Sequence, residues 1–105
     1  MGVIKSVLRE ELANSVQMQR DYERELLKLP KGSLIKKVIK NREYYYLLFR
    51  ENGKVKFVYR GKVSAEEIEK NVQVKKLRAK YRNLLSRVKK QVRFLRSSLR
   101  GKESI

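Results

Sequence analysis

Proline occurs once in these 105 residues, at position 30, and this single residue divides the chain. Proline cannot continue a helix, and it disfavours helical geometry in the residue before it. The run Leu29-Pro30-Lys31-Gly32-Ser33 therefore predicts a firm end to any helix that precedes it. Downstream of Ser64 there is no proline at all, and the next glycine is Gly101, so a second helix has room to be long.

The segment before the proline has apolar residues at helical spacing, which predicts a helix from about Val3 to Leu29. The members of this apolar face are Ile4, Leu8, Leu12, Tyr22, Leu26 and Leu29. Four polar residues interrupt the face near its middle: Asn14, Ser15, Gln17 and Gln19.

The segment after the proline is typical of β-strands. Asn52-Gly53 is a strong signal for a two-residue hairpin, because both residue types tolerate the positive φ angles of a type I′ turn. Strands are predicted at Glu43–Glu51 and Lys54–Arg60 on its two sides. An earlier strand, Ser33–Lys40, is expected to join through a turn at Asn41-Arg42. The result is a three-stranded antiparallel meander.

The hairpin turn also predicts which residues face each other. One face would pair Glu51 with Lys54, Phe49 with Lys56 and Tyr45 with Arg60. The other face would pair Tyr46 with Tyr59, Leu48 with Phe57 and Arg50 with Val55. The second face is mostly apolar and the first mixes aromatic and cationic side chains, as in a half-buried sheet.

The last segment predicts a long basic helix. Ser64 and Glu67 fit a capping box at its start. A seven-residue repeat follows, with a positions at Arg78, Leu85, Val92 and Leu99 and d positions at Val74, Tyr81, Val88 and Leu95. The e positions form a basic stripe of Lys75, Arg82, Lys89 and Arg96. A narrow apolar seam beside cations is typical of a coiled coil, formed either within the chain or between two chains.

These segments predict an α+β fold of order α-β-β-β-α, in which two long helices, as an antiparallel hairpin or coiled coil, flank a three-stranded antiparallel sheet. We expect one domain over 1–105. Its parts are an N-terminal helix at 1–30, the β meander at 31–63, and a basic C-terminal helix at 64–105 with a frayed tail. The seam also predicts a homodimer.

Charge narrows the possible partners. Lysine and arginine total 28 against 11 acidic residues, a formal net charge of +17. Residues 1–30 are neutral overall, whereas 31–63 carry ten basic and two acidic residues and 64–105 carry thirteen and four. Solubility alone is met by a net charge of roughly 2 to 8, so a polyanionic partner is the simpler explanation. Candidates are DNA, RNA, anionic lipid and an acidic protein.

Two groups of residues are candidate nucleic-acid contacts. The first is the basic stripe of the last helix, because phosphate backbones need repeated positive charges and no unique geometry. Its alternative is a solvated coiled-coil flank. The second is the aromatic and cationic sheet face, which could enter a DNA major groove or stack unpaired bases, or could be ordinary strand composition. Its residues are Lys36, Lys37, Arg42, Tyr45, Phe49, Lys56, Arg60 and Lys62.

Other functions have weaker support. Cysteine and histidine are absent, which excludes disulfides and Cys/His zinc sites. No phosphate-binding P-loop motif occurs, and we expect neither catalysis nor a cofactor, although a metal-free ribonuclease using Lys, Arg and Tyr is conceivable. No apolar run is long enough to cross a membrane, and the first residues are amphipathic, so a soluble cytoplasmic protein is expected.

Several short motifs resemble a small uncharacterised family of bacteria and mobile elements. They are the turn Leu29-Pro30-Lys31-Gly32-Ser33-Leu34, the strand Tyr44-Tyr45-Tyr46-Leu47, the hairpin Asn52-Gly53-Lys54 and the run Tyr59-Arg60-Gly61-Lys62-Val63-Ser64. That family has no known activity to transfer. The meander is also similar to the three-stranded domains at the N-termini of some integrases, which insert a sheet into the major groove.

The sequence as a whole therefore predicts a nucleic-acid-binding accessory or regulatory protein. It would contact mainly phosphates, through the basic helix and the sheet face. The alternative is a protein-interaction module that binds an acidic or nucleoprotein target, for example a phage-encoded inhibitor.

Overall fold

The computed structural model of the protein describes residues 2–101 and confirms the predicted fold class, two helices flanking a three-stranded antiparallel sheet. The elements in chain order are α1 (Gly2–Lys28), β1 (Ser33–Ile39), β2 (Arg42–Glu51), β3 (Lys54–Gly61) and α2 (Ala65–Gly101). The frayed tail that the sequence predicts at the C-terminus lies outside the described residues.

Local signals explain most of these boundaries. Helix α1 ends at Lys28, one residue before the predicted end at Leu29, and Pro30 follows it as the expected stop. The turn between β2 and β3 has φ angles of 54° at Asn52 and 78° at Gly53, which confirms the predicted hairpin. At the start of α2 the Ser64 hydroxyl accepts a hydrogen bond from the Glu67 amide at 3.2 Å. A capping box would also have the Glu67 carboxylate accept a hydrogen bond from the amide of Ser64. That carboxylate instead accepts a hydrogen bond from Arg60.

The first turn of the sheet differs from the prediction by one residue. It lies at Lys40-Asn41 and not at Asn41-Arg42, and both turn residues have positive φ angles, 51° and 64°. Arg42 is thereby the first residue of β2 and pairs with Ile39. Lysine is uncommon in the left-handed region, so the residue type at position 40 did not indicate a turn there.

The second hairpin also departs from the predicted register at its far end. Pairs from Glu51–Lys54 to Tyr46–Tyr59 are confirmed. The predicted pair of Tyr45 with Arg60 is wrong, because a β-bulge makes Tyr45 pair with Gly61. Gly61 has a φ angle of 70°, a conformation that glycine adopts without steric cost. The bulge leaves Arg60 unpaired in the ladder and free to reach Glu67.

The chain divides into two compact units. The helical unit combines α1 with the part of α2 that begins at Ala79, and the sheet unit is formed by residues 29–78. The single folding domain expected from the sequence stays a prediction.

In the helical unit α1 and α2 pack antiparallel within one chain. Ser15 of α1 contacts Gln91, whereas Tyr22, further along α1, contacts Tyr81, earlier in α2, with ring centroids 6.2 Å apart. The buried apolar side chains of the described residues are Val88, Val92 and Leu95, all at a or d positions of the predicted seam. A homodimer stays a prediction, and forming one through this seam would require two chains to exchange α1.

The apolar face of α1 is built differently from the predicted one. Ser15, expected to interrupt that face, is the most buried side chain of the described residues, with 1% of its surface exposed. Its hydroxyl accepts a hydrogen bond from Gln91 Nε2 at 3.0 Å. Ile4, expected on the same face, is exposed. A small side chain in the middle of α1 thus lies where the helices are in close contact.

In the sheet unit, α2 anchors the loop that follows α1. The Arg78 guanidinium donates hydrogen bonds to the carbonyl oxygens of Pro30 at 2.6 Å and Gly32 at 3.3 Å, and to Ser33 Oγ at 3.4 Å. About two turns earlier on α2, Asn71 Oδ1 accepts a hydrogen bond from the amide of Leu34 at 3.4 Å. Side chains of α2 therefore satisfy the polar groups where β1 begins.

Candidate nucleic-acid interface

Helix α2 carries a long surface without negative charge. Its last acidic residue is Glu69, and the 32 positions from Lys70 to Gly101 contain twelve lysines and arginines and no carboxylate. All of these cations except the half-buried Arg78 are exposed. In the helical unit the burial of Val88, Val92 and Leu95 explains this orientation, because α2 there directs its a and d positions at α1 and the rest at solvent.

The four e-position cations of the basic stripe are all exposed. Arg82, Lys89 and Arg96 lie in the helical unit, one heptad apart, which places successive members about 10 Å apart along the axis. Lys75 lies on the same helix within the sheet unit. The exposed cations Arg87, Lys90, Arg93 and Arg100 extend the charged surface beyond the stripe.

Carboxylates of α1 leave the cations of α2 unneutralised. Asp21 pairs with Arg24 and Glu25 pairs with Lys28, both within α1 and both on exposed side chains. Across residues 2–101, no ion pair joins a cation of α2 to a carboxylate. The interpretation of the stripe as a coiled-coil flank that is neutralised by helix α1 therefore has no support from these contacts.

One exposed aromatic residue lies among these cations. Phe94 lies on α2 close to Lys90, Arg93 and Arg96, and 67% of its surface is exposed. Phe94 lies between the a position Val92 and the d position Leu95 of the heptad, and this place in the repeat directs its side chain to solvent. An apolar ring in a cationic surface can contact the flat face of a base or a sugar.

The two faces of the sheet differ in charge. The inner face, defined by Leu34, Lys36, Tyr45, Leu47 and Phe49 with Lys56 and Val58, is the one directed at the first turns of α2. Leu34 and Leu47 line a cleft of about 280 Å³ together with Asn71 and Val74 of that helix. Tyr45 and Phe49, both candidate contacts from the sequence, are half-buried there.

The predicted cations of the inner face have carboxylate partners. Lys36 Nζ lies 3.2 Å from Glu43, and Lys56 Nζ lies 3.2 Å from Glu51. Arg60, which the bulge moves out of the ladder, pairs with Glu67. Although these pairs are exposed and therefore weak, they lower the local positive potential. The inner face is a poorer polyanion site than its sequence indicates.

The outer face of the sheet has the opposite character. It is defined by Lys37, Tyr44, Tyr46, Phe57 and Tyr59, with Arg42 and Arg50 on β2. Lys37 Nζ lies 4.9 Å from the ring centroid of Tyr46 and 5.6 Å from that of Phe57. The Tyr46 and Tyr59 rings meet edge to face at 5.3 Å. Phe57 and Tyr59 remain 56% and 58% exposed.

The sequence analysis missed the four aromatic residues of this outer face, Tyr44, Tyr46, Phe57 and Tyr59. The predicted hairpin register had correctly placed Tyr46, Phe57 and Tyr59 on one face, but that mostly apolar face was expected to be the buried one. Two other residues that the sequence predicts as contacts, Arg42 and Lys62, lie beside these aromatic residues. They line an open cleft of about 770 Å³ together with Tyr44 and Tyr59.

Residues 2–101 contain no group of three acidic side chains arranged to hold a metal ion. Within the same residues, no helix has the length and apolar character that crossing a membrane requires.

Comparison with known proteins gives one match. The model of a family described as "Domain of unknown function (DUF6788)" matches residues 5–70, more than half of the chain. No curated protein and no solved structure matches. The matched region contains most of α1, the whole sheet and the first turns of α2, and it stops where the acid-free part of α2 begins. The chain belongs to the DUF6788 family.

Proposed function

We propose that this protein binds nucleic acid, DNA or RNA, mainly through the phosphate backbone and with α2 as its principal contact. The observation that carries the proposal is the acid-free surface of α2, whose exposed cations have no carboxylate partner among residues 2–101. Each phosphate that such a surface neutralises releases condensed counterions, which gives binding energy without a shaped site.

This arrangement favours limited sequence recognition. Phosphate contacts fix the position of a protein on nucleic acid but carry no sequence information. Five of the cations on the helical unit's part of α2 are arginines, whose planar guanidinium can bind a phosphate through two parallel hydrogen bonds. The role that follows is an accessory or regulatory factor that binds without catalysis, in a bacterium, a phage or a mobile element.

The test measures binding of labelled duplex DNA, single-stranded DNA and RNA by fluorescence anisotropy over a series of salt concentrations. For the double variant Lys89→Ala/Arg96→Ala we expect weaker binding of all three ligands. The slope of log affinity against log salt should also become shallower, by about 0.9 for each lost phosphate contact with duplex DNA and about 0.7 with a single strand.

The matched control is the double variant Arg24→Ala/Lys28→Ala, which removes the same charge from α1, where both cations have local carboxylate partners. It should retain most of the affinity. An equal loss in both variants would show that net charge alone drives binding, and absence of binding at low salt would refute the proposal. Stable retention of an acidic protein at high salt would favour the alternative of a protein-interaction module.

A further inference from the structure

We infer that the outer face of the sheet binds unpaired bases, so that the ligand includes a single-stranded segment. This inference rests on the proposed function, because it specifies which form of nucleic acid the protein prefers. It concerns Lys37, Tyr46, Phe57 and Tyr59, which lie within the sheet unit.

The first argument is the exposure and spacing of the aromatic rings. Phe57 and Tyr59 are two positions apart on β3, so they project from the same face about 6.6 Å from each other along the strand. More than half of each side chain is exposed, although large apolar side chains are normally buried. Rings spaced in this way on a sheet can each stack one base of an extended strand.

The second argument is charge. Both acidic residues of the sheet, Glu43 and Glu51, lie on the inner face and pair with Lys36 and Lys56. The outer face therefore contains cations and no carboxylate. Its members on the three strands are Ser33, Ile35, Lys37, Ile39, Arg42, Tyr44, Tyr46, Leu48, Arg50, Val55, Phe57 and Tyr59. A ligand that suits this face combines flat apolar groups with regularly spaced negative charge.

The position of Lys37 joins these two features. Its ammonium group lies near the rings of Tyr46 and Phe57 and keeps its charge exposed to solvent. A base stacked on Phe57 would bring its own phosphate close to this ammonium group. In a duplex the bases are already stacked on each other, so the rings of this face would find no free base to stack on.

The experiment compares three ligands of equal length and equal label: a single strand of deoxythymidine, the same strand without bases, and a duplex. The variant is Phe57→Leu/Tyr59→Leu, which keeps apolar side chains and removes both rings. Val58→Ala is the matched control, because Val58 is a partly exposed apolar residue of the same strand on the inner face. Thermal unfolding of each variant confirms that it is folded.

We expect the unaltered protein to bind the strand with bases about tenfold or more tightly than the strand without them. The leucine variant should lose this difference while its affinity for the duplex and the base-free strand stays unchanged, and the control should behave like the unaltered protein. Equal affinity of the unaltered protein for the two single strands would overturn the inference and leave the proposed function intact. Absence of binding to all three ligands would overturn both.

A second measurement uses the absence of tryptophan from the sequence. Phe57→Trp places a single indole on the outer face and preserves a ring for stacking. Its fluorescence should be quenched by the deoxythymidine strand and not by the base-free strand. Equal quenching by both strands, or quenching by anionic lipid vesicles alone, would contradict base stacking.

Discussion

At the scale of single residues, Arg78 of α2 holds the loop before β1 through hydrogen bonds to backbone carbonyl groups. Arg78 was assigned to an a position of the seam on the basis of the heptad alone, but its guanidinium binds the backbone of Pro30 and Gly32. The partners are more than 40 positions away in sequence, and they are carbonyl groups, which every residue has. No local pattern could therefore identify them, although the loop at Pro30 was itself predicted.

At this scale we predict that Arg78→Lys lowers the free energy of unfolding by about 1–2 kcal/mol. Lysine keeps the charge but lacks the planar set of donors that reaches several acceptors at once. Urea unfolding followed by circular dichroism measures the change. Lys76→Ala, two positions earlier on an exposed side chain, should change stability by no more than about 0.5 kcal/mol. Similar losses in both variants would mean that the hydrogen bonds of Arg78 contribute little.

At the scale of elements, the quality of the local signal decided which boundaries were predictable. Asn52-Gly53 has the residue types that a type I′ turn requires, so this hairpin and five of the six pairs predicted for it were correct. The other turn was placed one residue late, because Lys40 adopts a left-handed conformation that lysine rarely takes. The bulge at Arg60 was missed because it depends on Gly61 and on a partner in α2.

The unfavourable conformation of Lys40 gives an element-scale prediction. Lys40→Gly should raise the free energy of unfolding by about 0.5 kcal/mol, because glycine takes a positive φ angle without the steric cost of a Cβ atom. Lys54→Gly is the comparison, since Lys54 begins a regular strand, and it should be destabilising by about 0.5–1 kcal/mol. Thermal unfolding of both variants checks the signs. A destabilised Lys40→Gly variant would place the turn elsewhere.

For the whole molecule, the order of elements followed from the sequence, whereas the choice of exposed sheet face did not. The alternation of side chains along the strands predicted which residues share each face of the sheet. Which of the two faces is covered depends on where the first turns of α2 pack. The predicted cations of α2 are exposed as expected. The predicted residues Lys36, Tyr45, Phe49, Lys56 and Arg60 instead lie where they are half-buried or paired with carboxylates.

The net charge of +17 leads to a prediction for the molecule as a whole. Repulsion among cations opposes the folded state, and salt screens it, so the unfolding temperature should rise between about 20 mM and about 500 mM sodium chloride. Lys90→Glu should be more stable than the unaltered protein at low salt and less sensitive to salt. Lys28→Glu, which removes the partner of Glu25, should gain less. A fall in unfolding temperature with added salt would contradict this account.

The buried Ser15, which is hydrogen-bonded to Gln91, determines the stagger of the two helices. Sliding α1 by one heptad in either direction would bring Leu8 or Tyr22 to the place that a serine now occupies. Neither side chain fits in that volume without moving the backbones apart, and overpacking of this kind is destabilising. A single small polar residue thus makes one alignment of a repetitive aliphatic seam lower in energy than its neighbours, in the way that isolated polar residues set the alignment of coiled coils.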